Sequence, residues 1–337
     1  MRSEPNKNRL HDAAQLRNWI QPSGAQDAPF TAERGRYHLY VSLASPFSCK
    51  ALMALKLKRL EDFIGVSITH CVLQRTRPND PADEHIGWVF VDPEKTPMLP
   101  EPNGIGSYPT AGATTDPVNK ADSIRDLYEI CFEGVLPYSV PVLWDKKTRQ
   151  IVSNDSGDIV RMLNYAFDAL VTDSSIDLYP GEVRDHVDKM LAWIDNEITE
   201  NIVRLSKAFT QQVYEAAVLD LYKSLNHLET HLAHHRYLCG SFLTEADLSL
   251  FVFLIRFDQV YYDLLKANRR RIEDYPNLRN YIRDLYQIPA IQKSVDMRHI
   301  RAAFVNLRNF NPSGIIPIGQ QVDYNTKHDR DRFPINP

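Results

Sequence analysis

A strand that runs through a proline turn into a helix constrains the fold of this chain more than any other stretch. Residues 36–60 read RYHLYVSLASPFSCKALMALKLKRL, and the alternation from Tyr37 to Leu43 predicts a strand. Pro46 suits the first helical position, because the amide proton that proline lacks would have no partner there. Ser45 therefore lies at or beside the N-cap. Free backbone N–H groups and the positive end of the helix dipole would stabilise a nucleophile or the anionic sulfur of a bound thiol at that point.

Length, charge and hydropathy narrow the class of protein. The chain has 337 residues, and its hydrophobic content of 43% is ordinary for a protein with a packed core. This length is enough for roughly two domains. A net charge of −4 gives no broad electrostatic case for nucleic-acid binding. No apolar run approaches the ~20 residues of a membrane span, and the N-terminal stretch lacks the apolar segment of a secretory signal. We therefore expect neither nucleic acid nor membrane among its partners.

The cysteines and histidines indicate neither disulfides nor a metal site. The four cysteines are scattered without the close spacing of a zinc site or a disulfide framework, which favours a reducing, cytoplasmic location. They are Cys49, Cys71, Cys131 and Cys239. His231 and His235 have the i, i+4 spacing of a helical metal pair, but no glutamate stands between them as in the zinc-protease pattern. We expect no bound metal.

Two short segments have the composition of turns that can contact a ligand. In SVPVLWDKKT, residues 139–148, Pro141 stands at the start of a predicted strand, where a cis Val140–Pro141 bond fits a tight turn. Asp155 and Ser156 precede a helical pattern. Helix capping is the favoured role of these two residues, and holding the ammonium and carboxylate of a ligand is the alternative.

Between the first helix and these turns lies a long stretch, residues 74–117, that is rich in Pro, Gly, Asp and Thr. A loop of this length inside a compact domain is usually functional. Trp88 lies within it in an aromatic island, GWVF. This side chain is either a wall that stacks on a ligand or, about as well supported, a local hydrophobic anchor.

The C-terminal half has an almost wholly helical pattern that follows a turn-rich hinge at residues 177–181. The segment LTEAD predicts a helix N-cap at Thr244, with Asp247 three residues further on. The last forty or so residues are irregular and are expected to pack on the surface or to cover something.

Several motifs, in order from about Arg36 to Gly319, carry a specific resemblance. They are RYHLYVSLA-x-P, GWVF, DPV-N, VPVLWDKKT-x-x-IVSN-x-S, RMLN, YLCG-x-x-LTEADLxLF and NPSGIIPIG. Together they resemble the cytosolic glutathione transferases, and more closely the glutathionyl-hydroquinone reductases, the xi class of that superfamily. The resemblance implies an α/β N-terminal thioredoxin-like domain, an all-α C-terminal domain, glutathione as cofactor, and a homodimer.

This resemblance also implies a division into four parts. We expect an N-terminal arm at 1–35, a thioredoxin-like glutathione-binding domain at 36–170, an all-helical substrate domain at 183–296, and a C-terminal extension at 297–337.

The chain departs from the family at the reactive centre. The family attacks the sulfur of a glutathionyl-hydroquinone with a cysteine in a Cys-Pro-Trp context, whereas this chain has Ser45 and Phe47. The family tyrosine of an NGVY-type motif corresponds to Arg204, and a later tyrosine pair corresponds to Phe304 and Val305. A serine cannot form a mixed disulfide, so the reductase cycle should be lost. A serine hydroxyl can instead donate a hydrogen bond that favours the glutathione thiolate.

Carried over by position, the resemblance implies a glutathione site and an electrophile pocket. Val140, before Pro141, would pair with the cysteinyl backbone, and Asp155 with Ser156 would hold the γ-glutamyl end. The remaining glutathione contacts would be Phe47, Trp88 and Arg125. For Arg125, a surface salt bridge is the equal alternative. The electrophile pocket would be bounded by Phe47, Arg204 and Phe304, with Arg204 facing an anionic oxygen.

Three functions remain open on these residues. The first is a Ser-type glutathione-dependent transferase, lyase or isomerase that acts on a quinone-like or other aromatic electrophile, with Ser45 assisting the thiolate. The second is a binding protein for glutathione or an aromatic ligand that has lost catalysis. The third is a residual reductase that recruits Cys49, although a packed thiol is the favoured state of that side chain.

Overall fold

The computed structural model describes residues 16–25, 27–102, 106–132, 137–171, 176–305, 307, 311–313, 315 and 317–335. The chain divides into two compact units, Met1–Ser174 and Ser175–Pro337.

A mixed sheet of four strands forms the centre of the first unit, as far as the structure describes it. Its strands are β1 (Tyr37–Val41), β2 (Gly65–Ile68), β7 (Val142–Asp145) and β8 (Gln150–Ser153). Their order in the sheet is β2-β1-β7-β8, with β1 parallel to β2 and antiparallel to β7, and with β7 antiparallel to β8. Every residue of β1 is buried, because the strand lies inside the sheet with both of its faces covered.

Helices cover the sheet, which confirms the predicted α/β thioredoxin-like fold. Helices α1 (Pro46–Leu57) and α3 (Ser156–Tyr165) pack against each other. Helix α2 (Ile124–Cys131) buries Ile124, Leu127 and Tyr128 in an apolar cluster. That cluster also contains side chains from β1, β7 and β8, namely Tyr40, Val142, Trp144 and Ile151.

The long stretch at 74–117 contains short strands that the sequence pattern did not predict. They form two hairpins, in which β3 (Gln74–Arg75) pairs with β4 (Ile86–Gly87) and β5 (Met98–Pro100) pairs with β6 (Ser107–Pro109). Strands of two or three residues are too short to produce a readable alternation of apolar and polar side chains.

The described part of the expected N-terminal arm belongs to the first unit and packs on its sheet and on α3. Asn18 donates a backbone hydrogen bond to the Val152 carbonyl of β8 at 3.0 Å. Ile20 is fully buried, and its amide donates to the Met162 sulfur on α3 at 3.0 Å. The segment thus extends the edge of the sheet and covers part of α3.

Among the described residues, the second unit contains helices and connecting turns, in agreement with the predicted all-α domain. In α4 and α7 the helix passes directly into a π-helical turn, over Asp195–Thr199 and Phe257–Tyr261 respectively. The helices are α4 (Arg184–Ile194), α5 (Glu200–Ser206), α6 (Gln211–Leu232), α7 (Glu245–Arg256), α8 (Tyr262–Leu264), α9 (Pro276–Tyr286), α10 (Pro289–Gln292) and α11 (Met297–Val305). None of the described helices combines the length and the apolar character needed to cross a bilayer.

The predicted capping box begins α7. Thr244 is the N-cap, and the Asp247 carboxylate accepts hydrogen bonds from the Thr244 amide at 2.9 Å and from the Tyr281 hydroxyl on α9 at 2.9 Å. Burial raises the pKa of Asp247 to about 6. The box therefore fixes the start of one helix and ties it to another.

The C-terminal tail packs on the end of α6. Arg330 is fully buried, and its guanidinium donates to the carbonyls of Leu232 at 2.7 Å and Arg236 at 2.9 Å, and also to the His235 carbonyl. Carbonyls at the C-terminal end of a helix lack partners within the helix, so a buried cation there satisfies them.

Candidate active site

Ser45 is the N-cap of α1, as the sequence predicted. Its backbone is extended (φ −78°, ψ 126°), and its hydroxyl oxygen accepts a hydrogen bond from the Ser48 amide at 3.4 Å. Pro46 occupies the first helical turn, where its missing N–H costs nothing. The Ser45 hydroxyl donates no hydrogen bond to another described residue. Because the side chain is partly exposed, this O–H is available to a ligand.

Cys49 faces the interior of the first unit. It is fully buried, and its thiol donates to the Leu43 carbonyl at 3.2 Å. Next to it, the buried Ser48 hydroxyl accepts a hydrogen bond from the Ser42 amide at 3.2 Å. These contacts tie the first turn of α1 to the end of β1, and they agree with the favoured expectation of a packed thiol.

The Val140–Pro141 bond is cis, as the sequence suggested, and it directly precedes β7. Val140 is buried in the cluster beneath α2, and Trp88 packs against the same cluster while remaining partly exposed. The Trp88 carbonyl accepts the Ile124 amide at 2.9 Å, which joins the GWVF segment to the start of α2. Trp88 is thus a hydrophobic anchor, and the structure brings it and Val140 together.

Asp155 is the N-cap of α3, which confirms the capping role. Its Oδ1 accepts the Asp158 amide at 2.8 Å, and its own amide donates to the Ser153 hydroxyl at 3.1 Å. No described residue donates a hydrogen bond to the second carboxylate oxygen of Asp155. Ser156, the first residue of the helix, is 9% exposed. Capping consumes one oxygen of Asp155 and leaves the other free for a ligand.

Arg125 participates in the surface ion pairs that the sequence left as the alternative. Its guanidinium contacts Asp83 and Glu129 at 2.5 Å each, and lies 5.7 Å from the ring centre of Tyr138. The hydrogen bond that Arg125 donates to Glu129, with further support from Asp83, raises the pKa of Arg125 despite partial desolvation. The sequence analysis did not single out Asp83, which lies on a loop that carries no periodic pattern.

Two predicted pocket residues, Arg204 and Phe304, lie in the second unit, and each contacts other side chains of that unit. Arg204, in α5, donates to Asn201 at 2.8 Å and pairs with Asp220 at 3.1 Å. Phe304, in α11, packs edge-on against Tyr261, with ring centres 5.7 Å apart. The sequence analysis missed Tyr261 because the aromatic residues of that segment fit a continuous helical face.

A cavity of about 740 Å³ in the first unit contains none of the predicted site residues. It is lined mainly by residues 74–80, 89–91 and 99–102, from the two hairpins and the strand-like segment between them. A smaller cavity of about 370 Å³ includes Arg125, together with Asp83, His85 and Tyr138. Predicted ligand contacts are therefore spread over helix starts and turns rather than collected in the larger cavity.

Among the described residues, no group of three or more His, Cys, Asp or Glu side chains is arranged to hold a metal ion. The His231 and His235 rings stack with centres 4.5 Å apart. Each ring has a hydrogen bond to a backbone carbonyl, that of Leu238 and that of His231 respectively.

A thioredoxin-like unit with a capped helix after its first strand and a cis-proline before a central strand, followed by an all-helical unit, is the architecture of the glutathione transferases. The model of the glutathione S-transferase C-terminal domain matches residues 211–284. The chain is 38% identical over 327 residues to the glutathionyl-hydroquinone reductase YqjG of Escherichia coli K12, covering 95% of this chain and 91% of that protein.

Solved structures agree with this relationship. The glutathione-bound structure of YqjG has a TM-score of 0.81 at 38% identity, with 94% of this chain and 97% of that chain covered. The xi-class glutathione transferase of Natrialba magadii has a TM-score of 0.85 at 35% identity, with 99% and 95% covered. The chain belongs to the family of the glutathionyl-hydroquinone reductases, the xi class of the glutathione transferases.

Proposed function

We propose that this chain is a glutathione-dependent enzyme in which the Ser45 hydroxyl donates a hydrogen bond to the sulfur of glutathione. The observation that carries the proposal is the unused O–H of Ser45 at the partly exposed N-cap of α1. A hydrogen bond to the charged form of a thiol, together with the positive end of a helix dipole, lowers the pKa of that thiol. The cofactor would then supply the nucleophile that the chain lacks.

Glutathione as co-substrate is supported by family membership and by the glutathione-bound structure of the YqjG relative. In the proposed site, Val140, which precedes the cis Pro141, pairs with the cysteinyl backbone, and Asp155 with Ser156 holds the γ-glutamyl end. The free carboxylate oxygen of Asp155 suits the ligand ammonium, and the start of α3 suits the ligand carboxylate. Phe47 and Trp88 border the tripeptide, and Arg125 faces a carboxylate.

The proposed substrate is a quinone-like or other aromatic electrophile. The thiolate sulfur would form a bond to an electrophilic carbon, and the displaced electron pair would move to a quinone oxygen or leave with a departing group. On the side of the electrophile, Phe304 supplies apolar surface and Arg204 meets a developing oxyanion. In this proposal glutathione binds to residues 36–170, and the electrophile contacts residues 183–296 together with Phe304 of the C-terminal extension. The dimer of the family is proposed for this chain as well.

Retention of the family's reductase chemistry is not favoured. That cycle passes through a mixed disulfide, which a serine cannot form. The thiol of Cys49, one turn after Ser45, is fully buried and donates a hydrogen bond to the Leu43 carbonyl. A thiol in that position is inaccessible to a bulky disulfide-forming substrate.

The test is a set of variants assayed with glutathione and a panel of quinones and aryl halides. Ser45→Ala should lower kcat/KM by about 10- to 100-fold, as expected when one hydrogen-bond donor to a developing or stabilised charge is lost. Cys49→Ser is the matched control and should leave turnover unchanged. Turnover that survives Ser45→Ala intact would overturn the role of Ser45.

A second function, binding without catalysis, is favoured by the joint replacement of the family's reactive cysteine and tyrosines by Ser45, Arg204 and Phe304. Calorimetry separates the two functions. Glutathione binding without turnover of any compound in the panel would establish the binding protein.

Ser45→Cys, assayed on glutathionyl-menadione, should recover reductase activity. An inactive variant would assign the loss to the missing tyrosines instead.

A further inference from the structure

The N-terminal segment reaches the turn that precedes α3. Arg17 forms an antiparallel bridge with Ser153 of β8. On one side of it, the Leu16 amide donates to the Asn154 side chain at 3.0 Å, and the Asn154 amide donates back to the Leu16 carbonyl at 3.1 Å. Asn154, which directly precedes Asp155, is therefore fixed by hydrogen bonds of both its backbone and its side chain.

Arg17 also forms a bidentate ion pair in the first turn of α3. Its Nε and Nη2 donate to the two carboxylate oxygens of Asp158, at 2.5 Å each. The Asp158 side chain is only 6% exposed, so it needs a partner for its charge. The hydrogen bonds that Arg17 donates to Asp158, with a further contribution from the Asp155 charge, raise the pKa of Arg17. A bidentate pair of this kind fixes the orientation of both side chains.

Two carboxylates thus lie in the same helical turn, and they have different tasks. Asp155 caps the Asp158 amide and keeps one oxygen free. Asp158 makes no hydrogen bond to the cap backbone and gives both of its oxygens to Arg17. Without Arg17, the start of α3 would carry a second uncompensated negative charge beside the place proposed for the ligand carboxylate. The Asp158 carboxylate and the ligand carboxylate would then repel each other.

We infer that Arg17 is a specificity-determining positioning residue for glutathione. It neutralises Asp158, so that the start of α3 accepts the α-carboxylate of the γ-glutamyl group while Asp155 alone receives the ammonium. The inference rests on the proposed function, because it requires that glutathione binds at Asp155 and Ser156. Arg17 acts through Asp158 and does not itself contact the reacting atoms.

Calorimetric titration of the full chain with glutathione tests the inference. Arg17→Ala should raise the Kd by about three- to tenfold, the range expected for one uncompensated charge near a bound carboxylate. The double variant Arg17→Ala/Asp158→Asn should return the Kd to within about twofold of the unsubstituted chain, because it removes the repelling charge. The Kd of Arg17→Lys should lie between those of the unsubstituted chain and Arg17→Ala, because lysine keeps the charge and loses the bidentate geometry.

A second ligand separates electrostatics from folding. The analogue 4-aminobutyryl-cysteinyl-glycine lacks only the α-carboxylate of glutathione and keeps its ammonium. Its Kd for Arg17→Ala should therefore not exceed its Kd for the unsubstituted chain. Equal losses for both ligands, or a double variant that stays as weak as Arg17→Ala, would mean that Arg17 only supports the fold and would overturn the inference. Unchanged glutathione binding in Arg17→Ala would overturn it as well. If the unsubstituted chain binds no glutathione, the result contradicts the proposed function itself, and the inference about Arg17 falls with it.

Discussion

The Cys49 amide donates a hydrogen bond to the Ser45 carbonyl at 3.0 Å, so the two residues lie one helical turn apart at the start of α1. Their side chains have opposite surroundings. The Ser45 hydroxyl is partly exposed at the N-cap, whereas the Cys49 thiol is buried and bonded to the Leu43 carbonyl. The Cys49 thiol could therefore reach a ligand at the N-cap only if the packing between α1 and β1 opened.

This relationship predicts the pattern of cysteine modification. Treatment of the native protein with glutathione disulfide should leave Cys49 unmodified, because a fully buried thiol is not accessible to a disulfide. Cys131 is the partly exposed cysteine and should react first, although burial raises its pKa and slows the reaction. Mass spectrometry of proteolytic fragments measures both sites. Glutathionylated Cys49 in the folded protein would revive the residual-reductase hypothesis, and Cys131→Ser serves as the control.

Substitution of Asp83 should change the affinity for glutathione. Asp83 occupies one edge of the Arg125 guanidinium at 2.5 Å, and a ligand carboxylate would have to compete with it. Asp83→Asn should lower the Kd for glutathione by about two- to fivefold, because it removes this competitor. Arg125→Ala should raise the Kd, because it removes the cation that the ligand carboxylate would contact. The matched control is Glu84→Gln, an exposed neighbour. Equal Kd values for all three variants would remove Arg125 from the ligand site.

Removal of the buried Arg330 should destabilise the second unit. Arg330→Met leaves the carbonyls at the end of α6 without donors, and we expect a loss of about 3 kcal/mol in the free energy of unfolding. Arg332→Met is the control, because the Arg332 side chain is 49% exposed and a surface change costs within about 0.5 kcal/mol. Urea denaturation compares the two. Similar midpoints would show that the C-terminal tail contributes little to this unit.

Acid should destabilise the first unit through His38. This side chain is buried next to Ser67, and desolvation lowers its pKa from 6.5 to about 4. The folded state therefore binds fewer protons than the unfolded state between these values. The stabilising contribution is complete above pH 6.5 and declines as the pH falls towards 4, by at most roughly 3 kcal/mol.

Unfolding midpoints at pH 5 and pH 7 measure this effect. His38→Gln should flatten the dependence, while His234→Gln, a change at an exposed histidine, should preserve it. A steep decline in His38→Gln equal to that of the unsubstituted chain would assign the acid sensitivity to other groups.

Local patterns in the sequence predicted the features that depend on neighbouring residues. The N-caps at Ser45 and Thr244 and the cis bond at Pro141 are of this kind. Capping and proline geometry involve atoms within a few residues of each other, so the sequence contains nearly all of their physical causes. Family motifs added the two-unit architecture, which periodicity alone indicated only in outline.

The sequence by itself determined that a serine and a proline begin α1, that Thr244 begins α7, and that the C-terminal half is helical. Only the tertiary structure decided which partners the charged side chains have. The Arg17–Asp158 pair spans 141 residues of chain and the Arg125–Asp83 pair spans 42. No local pattern encodes such contacts, because each depends on how distant segments pack and on which buried charge must be neutralised.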